Sequence, residues 1–486
     1  MTFLDTAVWH GKVYSDGWIK ADGGDAPVME PATGEQIGLT GIASPDDIAR
    51  AAARAAQAQP AWAATNFEER AAVLRRAGQL WERHAAEIQD WLVPETGCVP
   101  PKAAMETHIA AQECYEAAAL PSQPLGQIIP TTQPRISLAR RRPVGVVGVV
   151  APFNFPLILA IRSVAPALAL GNAVVLKPDP RTAVSGGVTI ARIFEEAGLP
   201  EGVLHVLPGG PEVGEALVAD RHVHVISFTG STAAGRKVGA AAARHLKRVH
   251  LELGGNSALI VLDDADLDLA VSAGAWGSFL HQGQICMTTG RHLVHERVVE
   301  QYVAGLAEKA NHLPMGNPAK EQVALGPVID AHQRDRIHSL VTASVDAGAR
   351  LVAGGTYENL FYRPTVLSDV TTTTPAWAEE VFGPVAPVVS FRDEDEAIAL
   401  ATDTEYGLSL GILSRDVMKA LALADRIPSG IVHINDQTVD DEAVAPFGGV
   451  GVSGTGSRFG GAAANIEAFT ETQWLTMRGS INQYPF

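Results

Sequence analysis

The chain has 486 residues, enough for two or three domains around a large core. Its 47% hydrophobic and 19% charged residues are those of an ordinary soluble globular protein, and a net charge of -17 argues against nucleic acid and anionic membranes as partners. Three cysteines, Cys98, Cys114 and Cys286, with no CxxC pair, give neither a disulfide framework nor a zinc-site pattern, and they fit a reducing, cytoplasmic setting.

The first residues, "MTFLDTAVWHGKVYSDGW", lack the basic stretch and apolar core of a signal peptide. "SPDDIARAAARAAQAQPAW" and "NFEERAAVLRRAGQLWERHAAEIQDWL" follow as amphipathic helices, with Ser44 and Asn66 as N-caps. The polar, β-rich segment Gln127–Pro143 interrupts this helical region. The apolar run from Val144 to Leu176 is long enough to span a bilayer, but Pro152, Pro156, Pro166, Asn154 and Arg162 break it. A strand, a loop and a buried helix account for it better.

Alternation then sets in. "AVVLK", "GVLHVL", "HVHVISF" and "RVHLEL" are strands. "RTAVSGGVTIARIFEEAG", "PEVGEALVAD" and "TAAGRKVGAAAARHL" are the helices between them. This predicts an α/β chain with a Rossmann-like parallel sheet, whose ligands bind at the carboxyl ends of its strands. A second α/β pattern begins at "NSALIVLDDADLDLAVSAGAW" and continues through "PTVLSDV", "APVVSF" and "IVHIN". The tail "EAFTETQWLTMRG" reads as a strand that could pair with Gln127–Pro143, within the chain or in another subunit.

Three stretches carry candidate chemistry. In "FTGSTAAG", Gly230, Thr232 and Gly235 form a G-x-T-x-x-G turn between a strand and a helix. That turn offers free N–H groups to a phosphate, although a plain βα turn would look the same. In "VHLELGGN", Glu252 is either a sheet-edge carboxylate in a salt bridge or a general base. In "HQGQICMTTG", Gly283 and Gly290 bracket Cys286, which is either a packed small residue or a nucleophile. His281 reads as a surface loop residue.

"PFNFP", "LKPD", "FTGSTAAG", "LELGGN", "GQICMTTGR", "EEVFGPV" and "PFGGVGVSG" occur in one order. Together they resemble the aldehyde dehydrogenase superfamily over essentially the whole length. The stretch "NDQTVDDEAVAPFGGVGVSGTGSRFGG" looks most like the benzaldehyde, vanillin and salicylaldehyde dehydrogenases of bacteria.

That resemblance implies oxidation of an aromatic aldehyde to its acid with NAD, NADP being possible, and no metal. It implies Cys286 as nucleophile, Glu252 as the base that hydrolyses the thioester, and Asn154 as an oxyanion donor beside the cysteine N–H. Lys177, Gly210, Gly214, Phe228, Gly230, Ser231, Glu380 and Phe382 would hold the dinucleotide. Phe155, Ile158, Arg162, Ile285 and Met287 would surround the substrate, with Phe153 close by. It also implies a cofactor domain of residues 1–121 and 144–254 and a catalytic domain of 255–453. Residues 122–143 and 465–486 would form a small β element joining subunits into a homodimer or homotetramer.

Two departures stand out. Pro180, preceded by Asp179, stands where many NAD-preferring members have a glutamate, and Gly451 stands where many have a lysine. A CoA-acylating relative would usually lack Glu252. A succinic-semialdehyde dehydrogenase would pair Arg162 with a second arginine where this chain has Leu280. A catalytically silent relative would not be expected to keep Asn154, Glu252 and Cys286 together.

Overall fold

The computed structural model describes residues 2–486. Five parallel strands lie in the order Arg248–Glu252, Val223–Thr229, Val146–Val150, Ala173–Lys177, Leu204–Val206. Strand order reverses at Val146–Val150, the first of the five in sequence, so a crevice opens where the chain departs in opposite directions. Val13–Ser15 and Trp18–Ile19 extend this sheet to seven strands, Val13–Ser15 running antiparallel to Leu204–Val206. Strands of three and two residues are too short to carry a readable period, so this extension was not legible beforehand.

A second seven-stranded sheet takes the order Arg350–Ala353, Thr365–Ser368, Val385–Phe391, Thr289–His295, Ser257–Val261, Ser409–Leu413, Ile431–Ile434. It is parallel except at Arg350–Ala353. Separate apolar clusters cover its two faces.

The apolar run of residues 144–176 resolves into strand Val146–Val150, helix Ile158–Ala169 and strand Ala173–Lys177. All twelve residues of that helix are buried. Among the described residues no helix is long and apolar enough to cross a membrane. Ser44 caps its helix in a capping box with Asp47. Asn66 caps the next by accepting from the Glu68 N–H.

Three local expectations need correction. The stretch from Arg181 to Gly198 is not one helix. A π turn at Val184–Val188 precedes the α-helix Thr189–Glu196. The buried Glu95 carboxylate widens that turn by accepting from the Val184 and Ser185 N–H groups, at 2.8 and 2.7 Å. The tail does not become a strand until Thr470. Glu467–Phe469 end the helix Ala462–Phe469, whose apolar side packs into the first core. A boundary at 465 therefore cuts a helix of that core. From Thr470 to Met477 the tail pairs antiparallel with Ile136–Pro143 of the same chain, and Gly126–Ile128 completes a three-stranded sheet.

Candidate active site

The carboxyl ends of the first sheet carry the first group of candidate residues. Val146–Val150 runs into the "PFNFP" loop that holds Asn154. Ala173–Lys177 ends on Lys177, a buried amine whose one acceptor among the described residues is the Pro178 carbonyl at 3.5 Å. Gly210 is the N-cap of helix Pro211–Ala219, and Gly214 lies within that helix against the Lys177 methylenes. Val223–Thr229 ends at Gly230 and Ser231, which opens helix Thr232–Arg244 by accepting from the Ala234 N–H. A Cβ on Gly230 would sit 2.7 Å from the buried Phe228 ring, so this turn admits no side chain without moving that ring. Arg248–Glu252 ends on Glu252.

The second group precedes strands of the second sheet. Gly254 and Gly255 lead into Ser257–Val261, Cys286 into Thr289–His295, and Glu380 and Phe382 into Val385–Phe391. A Cβ on Gly255 would strike the Cys286 carbonyl, and one on Gly254 the Glu380 carboxylate. Glu380 accepts from the Gly255 N–H at 3.2 Å. These glycines let the link between the two sheets pass directly beside the thiol.

Cys286 follows three consecutive left-handed residues, His281, Gln282 and Gly283. For the two non-glycines this costs of order 1–3 kcal/mol each. Local and long-range hydrogen bonds hold the conformation. Gln282 donates to the Gly97 carbonyl at 3.1 Å, the Gln284 amide oxygen accepts from the Ile329 N–H at 3.0 Å, and Thr288 donates to the Gly283 carbonyl at 3.0 Å. Asn154 donates one Nδ2 hydrogen to the Gln284 carbonyl at 2.9 Å, two residues from the thiol, leaving its second hydrogen unassigned. Among the described residues the Cys286 N–H meets no backbone or side-chain acceptor.

His281 is not a surface group. It is 2% exposed, stands edge-on to Phe155, and neither ring nitrogen has a partner among the described residues. Burial, with the nearby Lys102 charge, holds it far below the usual histidine range, so it stays neutral. Glu252 also departs from expectation. It is 2% exposed, and neither carboxylate oxygen has a partner among the described residues. Burial pushes its pKa up to about 8, against the pull of Arg162 and Arg458. Burial likewise raises the Cys286 thiol above its ordinary range, and the Glu380 charge adds to this. Burial therefore favours the protonated thiol at rest.

A cavity of about 260 Å³ opens on Cys286. Phe155, Ile158, Ile285 and Met287 line it as expected, joined by Met105, Ile109, Leu159, Trp276, Leu280, Val439 and Phe447. Its polar lining beyond the thiol is Asp436, Gln437, Asp440 and Asp441. Arg162 does not line it. The arginine is 2% exposed behind the wall, ion-paired to Asp441, 4.0 Å from Glu113, and stacked 4.4 Å over the Phe447 ring. Phe153 lies outside it as well, edge-on to Phe382, with the Arg181 guanidinium 4.2 Å over its ring. Phe382 adopts a left-handed backbone at φ 54°, held by Gln333 donating to its carbonyl at 2.7 Å.

One supporting pair escaped the sequence reading. Lys102 and Glu106 form a fully buried ion pair. Lys102 also donates to the Asn154 carbonyl at 2.9 Å, and Glu106 accepts from the Leu157 N–H at 2.8 Å. Together they fix the loop that presents the Asn154 amide. An i,i+4 Lys–Glu pair on a helix ordinarily reads as a solvated face, so only the fold reveals it.

The aldehyde dehydrogenase family matches residues 18–475. The chain is 71% identical over 486 residues to a vanillin dehydrogenase of an Amycolatopsis species, covering 100% of both sequences. It is 51% identical over 480 residues to a benzaldehyde dehydrogenase (NAD⁺) of Pseudomonas putida, covering 99% of this chain and 98% of the relative. Among solved structures, a salicylaldehyde dehydrogenase from Pseudomonas putida G7 complexed with salicylaldehyde superposes with a TM-score of 0.94 at 37% identity, covering 98% of this chain and 99% of the other.

Proposed function

The chain belongs to the aldehyde dehydrogenase family and is an NAD(P)-dependent enzyme, and from that premise we propose that it oxidises aromatic aldehydes of the benzaldehyde type to carboxylic acids. The observation that carries this reading is the cavity at Cys286, walled by Phe155, Ile158, Leu159, Ile285, Met287 and Phe447. A flat ring buried there gains roughly 25 cal/mol per Å² of apolar surface removed from water, and a short aliphatic chain buries less.

We assign Cys286 as nucleophile. Its thiol proton passes to solvent as Sγ bonds the aldehyde carbon, and the carbonyl oxygen becomes an oxyanion. The free Asn154 Nδ2 hydrogen and the Cys286 N–H are the donors for that charge. A bound nicotinamide dinucleotide supplies the hydride acceptor. The acyl group on Sγ is a thioester, and Glu252 takes a proton from the water that attacks it. The C–S bond then breaks, Sγ takes back the proton held by Glu252, and the acid leaves.

For the dinucleotide we assign Lys177, Gly210, Gly214, Phe228, Gly230, Ser231, Glu380 and Phe382. The buried, weakly satisfied Lys177 amine and the side-chain-free turn at Gly230 before a helix N-terminus support this set. NAD is the first choice and NADP an accepted second. We place the enzyme in the cytoplasm, in keeping with three unpaired cysteines. We further propose a homodimer or homotetramer built through the three-stranded sheet. Thr470–Met477 is an open edge of that sheet, and Trp474 is 64% exposed on it. Light scattering that reports a monomer overturns that assembly.

The deciding experiment compares kcat/KM for benzaldehyde, its hydroxylated derivatives, straight-chain aldehydes and succinic semialdehyde, each with NAD and with NADP. Aromatic aldehydes should rank highest. A higher value for succinic semialdehyde or a straight-chain aldehyde overturns the aromatic assignment and leaves only the family activity.

A further inference from the structure

We propose that Asp441 makes the aldehyde cavity selective for rings bearing a hydroxyl group, and unfavourable to aldehydes bearing a carboxylate. This rests on the aromatic reading of the site.

The cavity wall is apolar on most sides, so each polar group on it needs an account. Gln437 is satisfied within its own turn, donating to the Val439 carbonyl at 2.8 Å and accepting from the Val439 N–H at 2.6 Å. Asp436 accepts from the Gln437 N–H and Asp440 from the Asp441 N–H, and both residues are solvent-exposed. Asp441 differs. Its side chain is 14% exposed, and Oδ2 is ion-paired to Arg162. Its Oδ1 is buried with no hydrogen-bond partner among the described residues. A buried acceptor left unpaired is costly, and a phenolic O–H is a strong donor to it. The bond that forms is charge-assisted.

The same arrangement disfavours a carboxylate. The Arg162 charge already faces Asp441 and Glu113, and Glu252 lies within its electrostatic reach. Its guanidinium lies 4.4 Å over the Phe447 ring and does not line the cavity. An anionic substrate group would therefore meet Asp441 and Asp440 before it met Arg162.

The test uses the full-length enzyme, its Asp441→Asn and Asp441→Leu variants, and four aldehydes: benzaldehyde, 3-hydroxybenzaldehyde, 4-hydroxybenzaldehyde and 4-formylbenzoate. Each kcat/KM is divided by that for benzaldehyde with the same protein, so a general loss of activity cancels. In the wild type at least one hydroxylated ring should exceed benzaldehyde, and 4-formylbenzoate should fall below it. In Asp441→Leu the hydroxyl preference should drop about tenfold, the loss expected for one charge-assisted hydrogen bond. Asp441→Asn keeps the shape of the side chain and serves if the leucine variant does not fold. It should lose part of the hydroxyl preference and gain relative activity on 4-formylbenzoate. Hydroxyl ratios within about twofold of the wild type in the asparagine variant overturn the proposal, since removing the charge must weaken the bond. A wild type that prefers 4-formylbenzoate to both hydroxylated rings overturns it too. If wild-type benzaldehyde turnover is below that of straight-chain aldehydes, the aromatic reading fails, and the Asp441 proposal falls with it.

Discussion

The two seven-stranded sheets meet at the site with opposite ends. The first offers the carboxyl ends of Ala173–Lys177, Val223–Thr229 and Arg248–Glu252. The second offers the segments before Ser257–Val261, Thr289–His295 and Val385–Phe391. On the first side the presentation is local. A strand stops, a glycine or a serine cap turns the chain, and a helix begins, as at Gly230 and Ser231. On the second side it is long-range. His281 and Gln282 hold left-handed conformations in a loop braced by bonds from Gln282 to Gly97 and from Gln284 to Asn154 and Ile329. Regular βα turns suit a large ligand bound by repeated backbone contacts. A strained, braced loop suits one atom that must be held in a fixed position.

This contrast predicts separable functions. Cys286→Ala removes the group held by the braced loop and leaves the turns of the first sheet untouched. Aldehyde oxidation should fall by at least about 10⁴-fold, because no covalent intermediate can form. Dinucleotide binding, followed by quenching of tryptophan fluorescence, should stay within about threefold. Loss of binding along with turnover would mean that the two sides do not act separately.

Glu252 ends a strand of the first sheet and begins the link to the second, so it tests the junction itself. Glu252→Gln should leave a first-turnover burst of NADH followed by steady turnover slowed about 10²–10³-fold, the range of a lost general base. A weakened burst would report on proton transfer from the thiol. The pH profile supplies the sign. Burial raises this carboxyl to about 8, so its basic form fills as pH rises through that value, and wild-type turnover should rise with it. That rise should be absent in the glutamine variant. A rise that persists in Glu252→Gln assigns the titration to another group.

Lys177→Met probes the first side alone. Removing the amine at the end of Ala173–Lys177 should raise the dinucleotide KM about tenfold, a loss near 1.4 kcal/mol. The rate at which iodoacetamide alkylates Cys286 should not change. A changed alkylation rate would show the two sides to be coupled.

The same contrast governs what could be read from the sequence. Strand–turn–helix units announce themselves through β-branched runs, glycines and caps, and Gly230, Ser231 and the end of strand Ala173–Lys177 are found that way. Cys286 and Glu252 were legible only through motifs in a fixed order, since each alone has a plain structural account. Burial without partners at Glu252 and His281 was not legible, because both sit in short segments whose neighbours come from distant parts of the chain. Arg162 was visible as an oddity in an apolar run. Its partner Asp441 lies 279 residues away, so no spacing could connect them. Lys102 and Glu106 were hidden for the opposite reason, a familiar surface pattern turned inward.

The smallest expected effect concerns the adenosine end of the first side, where Pro180 replaces the glutamate of many NAD-preferring relatives. Asp179 is the acid nearest in sequence that could take over the repulsion of a 2′-phosphate. Its carboxylate is already engaged, however. Arg181 binds Oδ1 through Nε at 2.9 Å and Oδ2 through Nη2 at 2.8 Å, and the Arg181 N–H adds a third bond at 2.9 Å. Burial alone would raise this carboxyl, but the hydrogen bonds and charge of Arg181 hold it below the usual range, with Lys177 assisting. Arg181 passes on to Asp330 at 2.6 Å, so the cluster is fixed from both sides. A carboxylate neutralised in this way repels a phosphate weakly. The kcat/KM for NADP should therefore lie within about tenfold of that for NAD, a difference of no more than 1.4 kcal/mol. Asp179→Asn should move that ratio by less than about threefold. If NADP gives no measurable rate in the wild type and Asp179→Asn restores it, Asp179 discriminates despite its pairing with Arg181. The first side would then select its dinucleotide by charge as well as by the shape of its turns.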